Sequence, residues 1–284
     1  MTKTHASQSV ALIHTPRAIV RRTRGNRHGP LARLMSPGDL GRILKPFVFL
    51  DLFDMDKASF PGIGLHPHSG IATVSYLFEG SVRYEDSTGA TGVLFADGVE
   101  WFKAAQGAWH GGGAGETGRT RGFQLWLALP PDQELGPVEN IYLEPNAVAR
   151  DGPARVLVGS HGEATSPLKA PASLNYLAVR LRAGESWRYQ PELDHTVGWI
   201  ALSTGRVRVP DSVEGGELAI FDPSNEAIDI QADADTEFVL GSAAPHGHDL
   251  VLGPYSVHTS SATLRAGEQR IKEIQRRLQS EGRL

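Results

Sequence analysis

Hydrophobic and polar positions along this chain alternate with a period of two, in short runs. Ile71 to Asp86 (IATVSYLFEGSVRYED), Gly122 to Leu129 (GFQLWLAL), Leu174 to Leu181 (LNYLAVRL), Thr196 to Ser203 (TVGWIALS) and Gly216 to Asp222 (GELAIFD) show it most clearly. Each run is rich in β-branched and aromatic residues and is punctuated by Gly, Asp, Ser or Pro, which predicts strands and their turns. Many short strands with glycine-rich turns predict an all-β sandwich or barrel. One segment carries the helical period instead. In Ala266 to Ser280, Ile271, Ile274 and Leu278 fall at i, i+3 and i+7 on one face, while Glu273 and Arg277 form an i, i+4 pair on another. This predicts a C-terminal helix packed on a sheet.

The stretch from Pro130 to Pro153 carries Pro130, Pro131, Pro137, Pro145 and Pro153, where interior strands are not tolerated. Strand-rich halves of similar size lie on either side. The expected division is a first β domain over 1–134, a linker over 135–153 and a second β domain over 154–284 ending in the helix. An ancient duplication would explain two such halves, although no close sequence repeat links them. A chain of 284 residues has room for either one large core or two.

Composition narrows the function classes. With 40% hydrophobic residues and 28 basic against 32 acidic side chains, the chain is not disordered. The absence of cysteine excludes disulfides, thiolate metal sites and cysteine nucleophiles. A net charge of −4 speaks against a dedicated duplex-binding protein, so no direct nucleic-acid binding is expected. The apolar stretch within MTKTHASQSVALIHTPRAIVRR is too short for a signal peptide, and no run approaches the roughly 20 apolar residues of a membrane span. A cytoplasmic protein, monomeric or weakly dimeric, is expected. Charge is nonetheless uneven: six arginines and no carboxylate from Arg17 to Arg33, nine carboxylates and no Lys or Arg from Asp211 to Glu237. Either the arginines form a phosphate-binding arm, or they make a basic strand lying against the acidic second half. The second reading explains both asymmetries and is preferred.

Candidate chemistry centres on His66 and His68 in LHPHSGIATVSYLFEG. Residues i and i+2 of an extended chain project to one face, roughly 6.6 Å apart, so two such imidazoles can converge on one ion. His110 follows ADGVEWFKAAQGAWH, a strand with a glycine at Gly107 that lets the backbone turn the histidine inward. A His-x-His pair with a single histidine from a later strand is the spacing of a metal-binding cupin. The full run resembles the pirin family of that superfamily through His66-Pro67-His68, Gly70, Thr73-Val74, Tyr76-Leu77, Glu79-Gly80, Asp86-Ser87, Gly89, Gly92, Trp101, Gly107 and His110. PFVFLDLFDM (Pro46 to Met55), LWLALPP (Leu125 to Pro131) and GPYSVHTS with the following helix extend the resemblance.

The resemblance implies two antiparallel cupin barrels, with a metal, usually iron, in the first, bound by His66, His68 and His110. It implies either quercetin 2,3-dioxygenase activity on a flavonol-like aromatic or a role as a transcriptional co-regulator. Fe(II) is the expected ion, with other divalent transition metals as alternatives. Thr73 stands where many other cupins place a carboxylate ligand. The family's fourth ligand, a glutamate two residues after the third histidine, corresponds here to Gly112. Loss of that carboxylate leaves the ion its full charge, opens a coordination position and removes an obvious base. Glu116, in the following GGGAGE loop, is the candidate replacement as base or ligand, and Glu100 lies on the approaching strand with its facing open. A non-catalytic binding protein with an eroded metal site is the rival reading, and a cupin isomerase or sugar-binding protein a third.

Other residues have plainer readings. His246-Gly247-His248 is read as an exposed loop, and His195 and His258 as structural or surface residues. Trp101, Trp109, Phe78 and Phe102 either wall a flavonoid-sized pocket or fill a core. Asp86 to Gly89 reads as a hairpin turn.

Overall fold

The computed structural model describes residues 17–56, 62–116 and 118–284. Most of the N-terminal run, whose apolar stretch is read as too short for a signal peptide, therefore lies outside the described residues. The chain builds two similar halves, each a seven-stranded sheet facing a four-stranded one. In the first half the large sheet runs Glu139–Leu143, Val99–Lys103, Ile71–Glu79, Arg119–Ala128, Phe47–Asp56, Leu31–Met35 and Asn26–His28, all in antiparallel pairing. The small sheet runs Gly62–His68, Ala108–Ala114, Ser81–Asp86 and Thr91–Phe95. The second half repeats the plan, with a seven-stranded and a four-stranded sheet of matching strand order. Among the described residues, no helix is long and apolar enough to cross a membrane.

The two seven-stranded sheets pack face to face. Ala72, Val74 and Tyr76 of one strand share a core with Tyr176, Ala178 and Val239 of the other half, and Phe47 meets Trp199 edge-on at 5.3 Å. The alternate positions face into the barrels, so both faces are buried and the runs read as almost continuously apolar. Here the halves diverge. Inside the second barrel Leu177, Val179, Leu181, Tyr189 and Phe238 close an apolar core. Inside the first, Ser75, Glu100 and Gln124 line a cavity beside Leu77 and Phe53.

Both chain ends cross over. The N-terminal strand Ile19–Thr23 pairs with Leu218–Phe221 in the second half. There Arg22 meets Asp211 at 3.3 Å, Arg24 meets Glu214 at 3.1 Å, and buried Arg17 donates to the carbonyls of Asp222 and Thr196. The segment from Arg17 to Arg24 thus lies against the acidic half, as its charge suggested, whereas Arg27 and Arg33 belong to strands of the first large sheet, where Arg33 pairs with Asp51. The helix Ser261–Ser280 lies on the first barrel: Ile271, Ile274 and Leu278 cover Trp109, whose Nε1 donates to the Ile271 carbonyl at 3.1 Å. The stretch expected as a linker also joins in, because Glu139–Leu143 forms the edge of the first large sheet. Proline is tolerated around such an edge strand, since one side of its ladder needs no partner.

Candidate metal centre

The strand Gly62–His68 pairs antiparallel with Ala108–Ala114, which puts His66 directly opposite His110 and His68 opposite Ala108. His68 projects to the same face as His66. The three ring centroids are 4.7 to 5.1 Å apart, and one ligand nitrogen from each ring lies within 4.8 Å of the others. His68 and His110 are buried and His66 is half-buried. The sequence-predicted trio is therefore brought together.

Each ring is oriented by an oxygen acceptor on its Nδ1. His66 Nδ1 donates to the Gly64 carbonyl at 2.9 Å, His68 Nδ1 to the Tyr255 carbonyl at 3.0 Å, and His110 Nδ1 to Glu100 Oε1 at 3.3 Å. These bonds select the tautomer that leaves the Nε2 lone pair free. Nε2 of His68 and of His110 is buried without any partner. A buried imidazole nitrogen with no hydrogen bond is costly unless something else satisfies it, and a divalent ion shared by the three would do so. Burial, reinforced by His110, pushes His66 down to about 4, and burial with both neighbours pushes His68 well below the usual imidazole value. Both rings are thus neutral at pH 7, as metal ligation requires.

Aromatic packing fixes the cluster further. Phe102 stacks on His110 with ring centroids 4.4 Å apart and planes 2° apart, and Trp126 stands 4.7 Å from His68. Trp126 itself stacks on Phe49 at 4.0 Å. Trp101 and Phe78 belong to the core between the barrels, and Trp109 lies under the C-terminal helix; none of these lines the cavity.

The cavity opens beside His66 and His110 and is bounded by Glu100, Ser75, Gln124 and the glycines 111–113. Glu100 faces inward because Trp101, its neighbour on the strand, faces the other barrel. Burial alone would raise the Glu100 carboxyl, but hydrogen bonds from His110 and Ser75 hold it below its ordinary range. Asp51, also on the cavity wall, is engaged by Arg33. Glu116 is exposed at the turn after Ala114; its amide donates to Ser81 Oγ at 3.0 Å, and the residue is absent from the cavity wall. At Gly112 the strand is so close to its neighbour that a Cβ would lie 2.9 Å from the Arg83 carbonyl oxygen. Thr73 is fully buried, and its Oγ1 has no partner.

The other histidines have different surroundings. His195 uses both nitrogens, on Ser242 Oγ at 2.9 Å and Ser173 Oγ at 3.0 Å. It also forms a group with the exposed Glu192 and Asp194. His246 and His248 stand 5.3 Å apart on a loop with no third ligand beside them among the described residues. His258 is buried between Ser69 Oγ at 2.9 Å and Glu134 at 3.4 Å. This is the order of a hydrolytic triad, but the helix seals it, because a Cβ on Gly267 would lie 2.4 Å from Ser69 Oγ. Residue-level reading missed the Gly64 and Tyr255 carbonyls, Trp126 and the inward facing of Glu100. Only the last had a signal, the alternation of Val99 and Trp101 with Glu100 and Phe102.

The comparisons with known proteins agree with this geometry. The family described as Pirin matches residues 30–127, which contain all three histidines. A pirin-like protein of Caulobacter vibrioides is 31% identical over 236 residues, spanning 79% of this chain and 85% of that protein. Among solved structures, a quercetin 2,3-dioxygenase from Acinetobacter baumannii superposes with a TM-score of 0.83 at 22% identity, over 91% of this chain and 98% of the other. The Escherichia coli pirin YhhW, solved with nickel(II), gives a TM-score of 0.63 at 22% identity, over 82% of this chain and 99% of that one. The two structural likenesses establish the paired cupin barrels, and with the Caulobacter relative and the histidine spacing they lead to one conclusion: this chain belongs to the pirin family.

Proposed function

We propose that this protein is a metal-dependent oxygenase of the quercetin 2,3-dioxygenase type, acting on a flavonol-like aromatic at an Fe(II) ion held by His66, His68 and His110. The observation that carries the reading is the set of three clustered imidazoles with every Nδ1 engaged and the buried Nε2 atoms of His68 and His110 unpartnered. When bound, the ion would supply a Lewis acid that accepts a chelating substrate and dioxygen on its open positions. The chain supplies the rest. Its three nitrogens occupy one face and leave the cavity side free, Gly111 and Gly112 keep that side clear of side chains, and Ser75, Gln124 and Glu100 offer polar partners to substrate hydroxyls. The buried rings exclude water from the rear of the site.

Metal analysis and oxygen uptake test the proposal together. Protein purified without tags or chelators should carry stoichiometric iron and consume oxygen with quercetin, and His66→Ala should lose both. A wild-type protein that stays free of metal would sink it. Gly112 favours a second reading, a non-catalytic binding or co-regulator protein that keeps the ion. Stoichiometric metal with no oxygen uptake on any flavonol would select that one.

A further inference from the structure

A divalent ion held by three neutral imidazoles keeps its full charge in a largely buried cavity, which is costly unless an anion stands near it. The wall nearest the histidines offers none, since residues 111–113 are glycines. Resting on the metal-centre reading above, we infer that Glu100 is the positioning residue that supplies this charge, through the ring of His110 and not by ligation.

Several observations converge on Glu100. It is 7% exposed, and among the described residues it has no Lys or Arg partner; His110 is its single ion-pair contact. Glu100 accepts hydrogen bonds from His110 and Ser75 but meets no Lys or Arg charge, while Nε2 on the far side of the His110 ring has no partner, so one cation in the cavity would serve both. The three Nδ1 acceptors are unequal, because His66 and His68 donate to neutral carbonyls and His110 alone donates to a carboxylate. Glu100 lies outside the group of atoms close enough to share an ion, so its action passes through the imidazole. Phe102, two residues along the same strand, stacks on that imidazole and keeps it aimed. The other carboxylates are less suited: on the wall Asp51 is engaged by Arg33 and Asp56 is exposed at the end of its strand, and Glu116 is exposed outside the wall. A carboxylate behind a ligating histidine raises its basicity and its hold on the metal.

Co(II) titration of the metal-free, full-length protein against a chromophoric chelator tests the assignment. Glu100→Gln keeps an oxygen to accept the Nδ1 proton and removes only the charge. It should weaken Co(II) binding by about 10- to 100-fold without lowering the melting temperature of the metal-free protein. In the Co(II) protein, the exchangeable, hyperfine-shifted Nδ1–H resonance of His110 should move while those of His66 and His68 stay. Wild-type affinity in Glu100→Gln overturns the inference and leaves the metal centre standing. Absence of Co(II) binding by wild type, or full binding by His66→Ala, overturns the centre and the inference with it. Should Glu100→Gln fail to fold, Glu100→Asp decides: its carboxylate is drawn back from His110, so unchanged affinity with an unmoved His110 resonance overturns the inference.

Discussion

Gly112 is paired with Ile63 on one side and Tyr84 on the other, and the strand that carries Arg83 has closed on it. A side chain there meets backbone, which cannot swing away as a flexible side chain would. Gly112→Glu should therefore lower stability by about 1–3 kcal/mol, an overpacking cost, and should not tighten metal binding. Denaturant midpoints and Co(II) affinities check both halves; an unchanged midpoint with tighter binding would show that the strand yields. The three histidines were legible in the sequence because spacing on a strand fixes facing. The acceptors behind them were not. Gly64 and Tyr255 act through backbone carbonyls, and any residue type offers one of those. Glu116 drew attention by its closeness in sequence, yet proximity along a loop does not place a side chain in a cavity.

The C-terminal helix is an element whose face could be read and whose partner could not. Ile271, Ile274 and Leu278 are buried as the period requires, but nothing in that period says they cover the first barrel rather than the second. Gly267 marks the docking contact. A Cβ there would lie 2.4 Å from Ser69 Oγ and 2.8 Å from His258 Nε2. Helix propensity favours alanine over glycine by about 1 kcal/mol, so the sign of Gly267→Ala separates propensity from packing. We expect destabilisation, seen as a lower melting temperature, and a rise would show that the helix docks loosely. The proline-rich stretch teaches the same lesson for strands: proline argued correctly against an interior strand and could not exclude an edge one.

At the scale of the molecule, the strand-rich class followed from the short β-branched and aromatic runs and the paired barrels from the family resemblance, whereas the crossing of the two ends did not, since pairing partners far apart leave no local pattern. The Ile19–Thr23 strand was foreshadowed only by charge, its arginines matching carboxylates in the other half. Acid sensitivity is also a property of the whole. Burial lowers His161, His195 and His246, the last to about 4, so the folded protein binds fewer protons than the unfolded chain. Their contribution is complete above the ordinary imidazole value of 6.5 and is lost as pH falls through the lowered folded values. Asp54 and Asp97, held low largely by arginines against the pull of burial, add a further loss only below their ordinary value of 3.8. Asp51, raised by burial, opposes this as a single group. The melting temperature of the metal-free protein should fall steadily between pH 6.5 and pH 4; a flat profile there would contradict the buried, neutral state of these rings.

The carbonyl that orients His68 belongs to Tyr255, 187 residues further along the chain. A ribosome releases the ligand strand long before it makes that acceptor, so a nascent first barrel holds all three imidazoles with one of them still free to turn. The cluster reaches its final arrangement only once Tyr255 has emerged, and a product terminated before it would retain the three histidines while lacking the means to aim one of them.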